Sequence, residues 1–524
     1  FDESVQDTLM KFLFSRLENV SVRVLIREMR ALKEEGKLFG EDTHKEYEHY
    51  VNCYLYKGEY RKEILKKYKA MAWMIYHQIK NFQSFIRDFE THLRDDTEEL
   101  TYIFFQGKTP GQIKELKLGA SDAHFGGRTV IRVTWTDGHV LYYKPRSLKN
   151  DRMYQDIYMW ISGECHMESY AYRILDKGQH GWCEAVLPQD CENKEQVERY
   201  FKRLGLQLFI CYLFSVKDMH FENILACGEY PVLVDLETFP GRAFSGNDLS
   251  MSGQAFTRLA DSVLMTGALP VTVWNFDGQG VRLGAVGRQE KQKLPVRIPV
   301  IIGGKTSEMD VVLVHPEFEV KGNLPGLGHK TVDPSDYVNQ LIEGFSQAYR
   351  FALENKPLFL TKGRAAFAIN SRVLLRNTQQ YHMYTQTAGN GFFMTHLWRQ
   401  KLLFCNLYNS TRVPEEWKSK VVSYEVRALC QRDIPYFYMN GMRTSLFDSF
   451  GNEYENYYES SPMESYRKMV EGLSGRDEMF QERLIRLSLA MTPEDVGKMM
   501  NVRTGAGTRH EITNEDCLAG AKAI

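Results

Sequence analysis

The residues of this chain that are best suited to chemistry lie close together in positions 217–239, KDMHFENILACGEYPVLVDLETF. Asp218 could accept a proton from a substrate hydroxyl, and His220 follows two residues later. Asn223 and Asp235 supply the oxygen ligands that Mg²⁺ prefers, and a short apolar strand would deliver Asp235 at its end. The spacing therefore predicts a site for magnesium-dependent phosphoryl transfer.

The order of these residues matters more than any one of them, because single Asp, Asn and His side chains in loops are usually turn formers or caps. Protein kinases commonly place His and Arg before the catalytic Asp, and the metal-binding Asn five residues after it. Here the His follows the Asp, as in kinases related to the phosphatidylinositol kinases. The motif indicates phosphoryl transfer, provided that partners occur elsewhere in the chain.

A β-hairpin is predicted upstream, in RTVIRVTWTDGHVLYYKPRSL, where β-branched and aromatic residues flank Asp137-Gly138. Lys144 ends the second strand, where it could reach nucleotide phosphates. Considered alone, Lys144 would be a solvated lysine at the end of a strand. The motif at residues 217–239 favours the interpretation that it contacts nucleotide phosphates. Before the hairpin, Asp122 and His124 precede Gly126-Gly127, a pair that would suit a phosphate-facing loop or an ordinary turn.

The composition is that of a globular protein without a dominant charge. The 524 residues allow two to four domain-sized units, and the formal net charge of -1 gives no indication of a nucleic-acid or membrane partner. Nine cysteines without a C-x-x-C pair favour reduced thiols, a cytoplasmic location and no zinc. No apolar run approaches the length of a membrane span.

Apolar periodicity divides the chain into four regions. Residues 1–115 are predicted to be helical, and residues 116–243 to form a kinase-like core with the hairpin and the catalytic motif. Residues 244–335, rich in Gly, are predicted to be an insertion or linker with mobile loops, and residues 336–524 a helical part that ends in a frayed tail. The predicted fold class is α+β: a two-lobed kinase-like core, resembling lipid kinases, with large helical additions.

The motifs SDAH, YYKPRSL, DMHFEN and VLVDLE, followed by SRVLLRNTQQY, occur in an order that resembles a known family. From about Val22 to about Leu489 the chain resembles the dehydratase domain of class II lanthipeptide synthetases, the LanM-type enzymes. The catalytic motif alone would equally fit a lipid kinase, whereas KPRS and RVLLRNT would not. The resemblance implies phosphorylation of Ser or Thr in a ribosomal precursor peptide with ATP and Mg²⁺. Elimination of the phosphate would then leave dehydroalanine or dehydrobutyrine.

The resemblance also implies a role for each residue of the phosphorylation step. Lys144 would contact the phosphates of ATP, Asp218 would activate the substrate hydroxyl, and His220 would assist in the same loop. Asn223 and Asp235 would form the magnesium site. Glu237 would bind a second metal ion or support the ligands of the first.

A second set of residues matches the elimination step of the family. Phosphorylation makes a good leaving group, so elimination needs a base near the substrate α-carbon and cations or hydroxyls on the departing phosphate. Asp122, His124, Arg372 and Thr378 match these positions, with Arg376 between the last two. An arginine fork suits phosphate better than lysine does. Without the resemblance, Arg372 and Thr378 would be taken for a helix-surface pair.

The expected partner is a precursor peptide with a leader and a Ser/Thr-rich core. Full synthetases of this family continue into a cyclase domain with a zinc site of Cys and His ligands, and we expect neither that domain nor zinc within these residues, where Cys517 is a lone thiol. A cyclase could act in cis or in trans. Two alternatives stay open: a kinase that only phosphorylates a lipid, small molecule or protein, and an inactive peptide-binding scaffold.

Overall fold

The structure is a computed structural model that describes residues 3–242, 258–274, 280–287, 291–293, 297–319, 322–409 and 413–490. Within these residues, helices and small antiparallel sheets occur together, which confirms the α+β class. The helices are α1 (Glu3–Glu34), α2 (Thr43–Tyr50), α3 (Gly58–Lys67), α4 (Lys69–Asp95), α5 (Thr97–Phe104), α6 (Lys149–Glu164), α7 (Lys194–Leu213), α8 (Val338–Glu354), α9 (Lys356–Gly363), α10 (Thr378–Ala388), α11 (Gly391–Met394), α12 (Leu397–Phe404), α13 (Glu415–Cys430), α14 (Pro462–Gly472) and α15 (Gly475–Ala490). The strands are β1 (Ile113–Leu118), β2 (Ile131–Trp135), β3 (Val140–Lys144), β4 (Ile174–Asp176), β5 (Gly181–Glu184), β6 (Ile224–Cys227), β7 (Tyr230–Leu233), β8 (Val271–Trp274), β9 (Gly280–Leu283), β10 (Gln292–Lys293), β11 (Ile298–Ile302), β12 (Asp310–Val314), β13 (Glu317–Phe318), β14 (Gly326–Leu327), β15 (Lys330–Thr331), β16 (Asn370–Val373), β17 (Phe437–Asn440), β18 (Leu446–Asp448) and β19 (Glu453–Tyr454).

Two long helices, α1 and α4, cover one face of the first sheet. Their apolar residues recur at helical spacing, and the buried ones join the sheet residues in a single apolar cluster. Leu9 and Leu13 of α1 and Phe85 and Phe89 of α4 are buried there. These helices therefore pack on the face of the hairpin that is opposite to the Lys144 side chain.

The first sheet has the antiparallel strand order β1-β2-β3-β5-β4. The predicted hairpin is present as β2 and β3, and Gly138 at its turn has a φ of 91°, a conformation that favours glycine. Because side chains alternate along a strand, Tyr143 points into the apolar cluster under α4 and Lys144 points to the opposite face. The prediction that Lys144 ends the second strand is confirmed.

The second core is built around α7, which is buried along most of its length from Tyr200 to Leu213. α7 and α8 approach each other at two glycines. A Cβ at Gly205 would lie 1.9 Å from the Leu341 carbonyl oxygen, and one at Gly344 would lie 1.8 Å from that of Lys202. Only glycine permits this close contact between the two backbones. The contact holds the middle of α7 against α8, and the catalytic motif follows the end of α7.

The part from residue 336 onward contains a sheet as well as the predicted helices. β16, β17, β18 and β19 form a four-stranded antiparallel sheet, with Asn370 paired to Asn440 and Val373 to Phe437. Strands of two to four residues show no period of their own, and pairing between segments distant in sequence forms them. This correction matters for the site, because Arg372 lies on β16 rather than on a helix.

The predicted insertion at residues 244–335 is described only in part. Its described residues contain β8 to β15, which pair as four two-stranded sheets. The remaining residues of this region lie outside the described residues, as do residues 491–524, which include the predicted frayed tail at 500–524. Within the described ranges, none of the helices combines the length and the apolar character needed to cross a bilayer.

Candidate functional site

The catalytic motif folds into a sharp turn after α7. Asp218 and Asp235 have left-handed backbone conformations, with φ of 70° and 57°, which residues other than glycine seldom adopt. β6 and β7 form a hairpin between them, and the Val234 N–H donates to the Asn223 carbonyl at its open end, at 2.9 Å. Asn223 Nδ2 donates to the Asp218 carbonyl at 2.8 Å. The turn brings Asp218, Asn223 and Asp235 together, as the sequence predicts.

Two buried cations, Lys144 and Arg146, reach the carboxylate of Asp235. Lys144 Nζ lies 3.2 Å from Asp235 Oδ1, and Arg146 Nη2 donates to the same oxygen at 2.6 Å. Asp151, fully buried in the first turn of α6, lies 3.8 Å from Lys144 and 3.1 Å from Arg146. Burial alone would raise the pKa of Asp235, but the two cations outweigh it and hold that pKa well below its ordinary range. Asp235 therefore stays ionised, as a metal-binding carboxylate must.

The pKa of Asp218 is shifted in the opposite direction from that of Asp235. Burial raises the pKa of Asp218 above its ordinary value, against the nearby positive charges of His220 and Arg372. His220 Nε2 lies 3.7 Å from Asp218 Oδ1. A raised pKa makes this carboxylate a better proton acceptor than Asp235, which is neutralised by two cations. The two aspartates therefore differ in the chemistry that they can perform.

Glu237 and Arg372 form a buried ion pair next to the catalytic turn. Arg372 Nη1 donates to Glu237 Oε1, and the Arg372 backbone N–H donates to the Glu237 carbonyl at 2.6 Å. Tyr436 donates to Glu237 Oε2 at 3.4 Å, and its ring centroid lies 5.2 Å from the Arg372 guanidinium. Arg372 Nε is buried and has no hydrogen-bond partner among the residues that the structure describes. This unused donor is available to an anion.

The Gly126-Gly127 turn does not face a phosphate. The N–H groups of Gly126 and Gly127 donate to the two carboxylate oxygens of Asp433, both at 2.7 Å. The neighbouring Ile434 N–H donates to the Ala123 carbonyl at 2.9 Å. The hypothesis of a phosphate-facing loop is therefore wrong, because an internal carboxylate already occupies the donors. The turn anchors the loop that carries Asp122 and His124.

His124 is held in a single tautomer by this anchor. Its Nδ1 lies 2.8 Å from the Ile434 carbonyl, which can only accept, so Nδ1 carries the proton and Nε2 is the basic nitrogen. Burial lowers the pKa of His124, and the positive charge of Arg372 adds to this effect. At neutral pH His124 is therefore an uncharged imidazole that can accept a proton.

Asp122 is ionised and paired with a histidine from another element. Burial raises the pKa of Asp122, but the hydrogen bond from His382 and the positive charges of His382 and Arg372 outweigh it and lower that pKa. The Asp122 Oδ1 to His382 Nε2 distance is 3.0 Å. Asp122 and His124 thus form a carboxylate and imidazole pair that lies within the electrostatic influence of Arg372.

Thr378 is the first residue of α10, one helical turn before His382. Because residues four apart share a helix face, Thr378 lies on the same face as the His382 side chain that contacts Asp122. The interpretation of Arg372 and Thr378 as a helix-surface pair is wrong, since Arg372 is a buried strand residue and its side chain pairs with Glu237.

Arg372 connects the two predicted residue sets. Its charge lowers the pKa of Asp122 and of His124 on one side, and opposes the raised pKa of Asp218 on the other. Through Glu237 it also contacts Arg146, whose Nε lies 3.6 Å from Glu237 Oε2. The structure therefore places Arg372 within electrostatic range of Asp218, Asp122 and His124, which are distant from it in sequence.

The site offers oxygen ligands suited to Mg²⁺. Asn223 Oδ1 and Asp235 Oδ2 accept no hydrogen bond from any residue that the structure describes. Mg²⁺ in nucleotide sites is commonly bound by one or two such protein oxygens and completes its shell with water and phosphate. These residues fit the ion, and Lys144 and Arg146 fit the phosphates that would accompany it.

Arg376 is not part of this site. It makes two hydrogen bonds to Glu425, at 2.6 and 2.9 Å, and both side chains are almost completely buried. Tyr381 also donates to Glu425. The position of Arg376 in the motif therefore serves the packing of α10 against α13.

Replacing Arg376 by Met should lower the free energy of unfolding by about 3–5 kcal/mol, because Glu425 would remain as a buried, unpaired charge. Urea unfolding measures this. Arg467→Met, at an exposed ion pair 3.9 Å from Glu471, is the matched control and should cost about 1 kcal/mol or less. A loss of the same size in both variants would contradict the internal role of Arg376.

Several residues of the site are absent from the sequence prediction. Two carried a signal, since Arg146 follows Lys144 by two residues in KPRS and His382 follows Thr378 by one helical turn. The others have no sequence signal, because only the fold brings them to the site; they are Asp151, Asp433 and Tyr436.

Comparisons with known proteins agree with the extent of the site. A family model described as a domain of unknown function, DUF4135, matches residues 68–440, which include all the predicted site residues. The lacticin 481/lactococcin biosynthesis protein LcnDR2 of Lactococcus lactis subsp. lactis is 24% identical over 494 residues, 90% of this chain and 51% of that protein. The chain thus spans about half the length of this relative.

Proposed function

This chain belongs to the DUF4135 family, and we propose that it is a lanthipeptide dehydratase, which phosphorylates Ser or Thr of a precursor peptide and then eliminates the phosphate. The name of the lactococcal relative supports a role in lanthipeptide biosynthesis. The observation that supports the chemistry is the position of Arg372, whose charge acts on Asp218, Asp122 and His124 and whose guanidinium lies against the same Tyr436 ring that contacts His124. In this proposal the sheet that ends in Lys144 and the core around α7 are the two lobes of a kinase-like fold.

The first half-reaction is phosphoryl transfer from ATP to the peptide hydroxyl. Asp218, whose pKa burial raises, accepts the hydroxyl proton while the oxygen attacks the γ-phosphorus and ADP leaves. Lys144 and Arg146 bind the nucleotide phosphates. Asn223 and Asp235 would hold Mg²⁺, which would neutralise phosphate charge when bound. Lys144 and Arg146 neutralise Asp235 in the structure, and binding of the cation and phosphates would replace this internal pairing.

The second half-reaction removes the phosphate that the first one installed. His124 Nε2 takes the proton from the substrate α-carbon, and the electron pair of that C–H bond forms the double bond to the β-carbon. The bond between the β-carbon and oxygen breaks, and its electrons leave with the phosphate. Asp122 stabilises the imidazolium that forms at His124.

Arg372 and Thr378 act on the departing phosphate. Arg372 offers the unpartnered Nε donor, and burial of the guanidinium strengthens its interaction with an anion. Thr378 adds a hydroxyl at the first turn of α10, where the helix dipole also favours negative charge. The bond between the β-carbon and the phosphate oxygen would break toward these groups while His124 takes the proton from the α-carbon.

Incubation with ATP, Mg²⁺ and the precursor peptide tests the function by mass spectrometry. We expect a net loss of water for each modified Ser or Thr, with a transient gain of phosphate. A lasting gain of phosphate would instead establish a kinase alone. An unchanged peptide together with no binding of Mg-ATP in calorimetry would establish a peptide-binding scaffold and contradict the proposal.

Elimination should keep its rate down to about pH 6.5, the ordinary pKa of histidine, and fall only at lower pH. The reactive form of His124 is the neutral imidazole, and its pKa is lowered by burial and by Arg372. The rate is therefore lost as the pH falls through this lowered value. Phosphate release from a purified phosphopeptide, measured from about pH 8 to about pH 5, checks this. A rate that already falls between about pH 8 and pH 7 would contradict a neutral His124 base.

A further inference from the structure

The carboxylate of Asp122 depends on one residue for its orientation. Three contacts hold the backbone of its loop or the neighbouring imidazole: Asp433 with the Gly126-Gly127 turn, Ile434 with Ala123, and His124 Nδ1 with the Ile434 carbonyl. None of them touches the Asp122 carboxylate. Among the described residues, the only side chain that hydrogen-bonds this carboxylate is His382, at 3.0 Å.

The pair joins two elements that both contribute to the site. Asp122 lies in the loop before β2, and His382 lies on α10, one turn after Thr378. His382 and Arg372 are the cations that lower the pKa of Asp122, and the hydrogen bond to Asp122 raises the pKa of His382. Both side chains are partly exposed, at 32% and 43%, so the pair contributes little to stability but remains accessible from the site.

A misdirected Asp122 would harm elimination more than phosphorylation. An electrostatic partner of the base is effective only when its oxygen is fixed near the charge that develops during the reaction. Asp122 lies two residues before His124 and its charge raises the pKa of that imidazole, whereas Asp218 has its own neighbours, His220 and Asn223. Loss of the His382 hydrogen bond would leave the carboxylate free to rotate without disturbing the Asp218 turn.

We propose that His382 is a positioning residue for elimination, which aims Asp122 at His124 through the hydrogen bond from its Nε2; this rests on the proposed function. His382 touches neither substrate nor phosphate in this role. It couples the start of α10, and with it Thr378, to the loop that carries the base. The two ends of the elimination reaction, the proton acceptor and the phosphate-binding hydroxyl, are thereby held in one geometry.

The test uses the full chain and a synthetic peptide that carries one phosphoserine, so that elimination is measured without the kinase step. We expect His382→Leu to lower kcat for phosphate release roughly 10- to 100-fold with little change in KM. Phosphorylation of the unmodified precursor should keep its rate. His382→Gln, whose amide can replace the Nε2 donor, should recover most of the elimination rate. His44→Leu, at a surface histidine 3.5 Å from Glu48, is the matched control and should leave both steps unchanged.

A double-mutant comparison separates this role from a general loss of structure. If His382 acts through Asp122, adding His382→Leu to Asp122→Ala should cause no further loss of elimination. The proposal would be overturned if the two substitutions together slowed elimination by the product of their separate effects. It would also be overturned if His382→Leu slowed phosphorylation and elimination equally, or if His382→Gln did not restore the elimination rate. Failure of the wild-type chain to release phosphate from the peptide would instead refute the proposed function.

Discussion

Replacing Asp218 by Asn should lower the phosphorylation rate roughly 10²- to 10⁴-fold, the range that is typical for loss of a general base. Asn has nearly the same shape and cannot accept the hydroxyl proton in the same way. The Asn223 side chain contacts the backbone carbonyl of residue 218, so the turn is expected to remain intact. Transfer of radiolabelled phosphate from ATP to the precursor peptide measures the effect.

The variant should still release phosphate from a synthetic phosphopeptide, because His124 and Arg372 are unchanged. Asp156→Asn, on an exposed position of α6, is the matched control and should keep both activities. If Asp218→Asn transfers phosphate at the rate of the control, Asp218 is not the base. If it loses elimination as strongly as phosphorylation, the two steps do not have separate residues.

Replacing Arg372 by Lys should cause phosphopeptide to accumulate, because elimination slows roughly 10²- to 10³-fold while phosphorylation continues. Lysine keeps the positive charge beside Glu237 and so avoids an unpaired buried carboxylate. It lacks the planar fork and the Nε donor that is unpartnered in the structure. The ratio of phosphorylated to dehydrated peptide over time, measured by mass spectrometry, reports the effect.

Two control experiments accompany the Arg372→Lys prediction. Arg152→Lys, at an exposed position of α6, should leave the ratio of products unchanged. The residual elimination rate should also still fall at low pH, because His124 remains in place. Normal dehydration by Arg372→Lys would contradict the role of the guanidinium. Loss of phosphorylation as well would mean that Arg372 serves the nucleotide side through Glu237.

The separate partners of Asp122 and Arg372, which are His382 and Glu237, show how far the motifs alone could support the prediction. Each motif fixed the chemical type of its residues, and the resemblance suggested which types act together. The Gly126-Gly127 turn shows the limit of a local interpretation, because two free N–H donors in sequence are not free in the fold. The sequence allowed either a phosphate-facing loop or an ordinary turn, and in the structure the Asp433 carboxylate accepts from both N–H groups.

The sequence by itself determined what depends on neighbours along the chain: the periodic helices α1 and α4, the hairpin that ends in Lys144, and the turn that joins Asp218, Asn223 and Asp235. These features follow from local hydrogen bonding and from apolar spacing. Only the tertiary structure decided which cations neutralise Asp235, which tautomer His124 adopts, and that Arg372 lies on a strand between both residue sets. Such properties come from burial and from charges brought close by folding, and neither can be obtained from the spacing of residues in one segment.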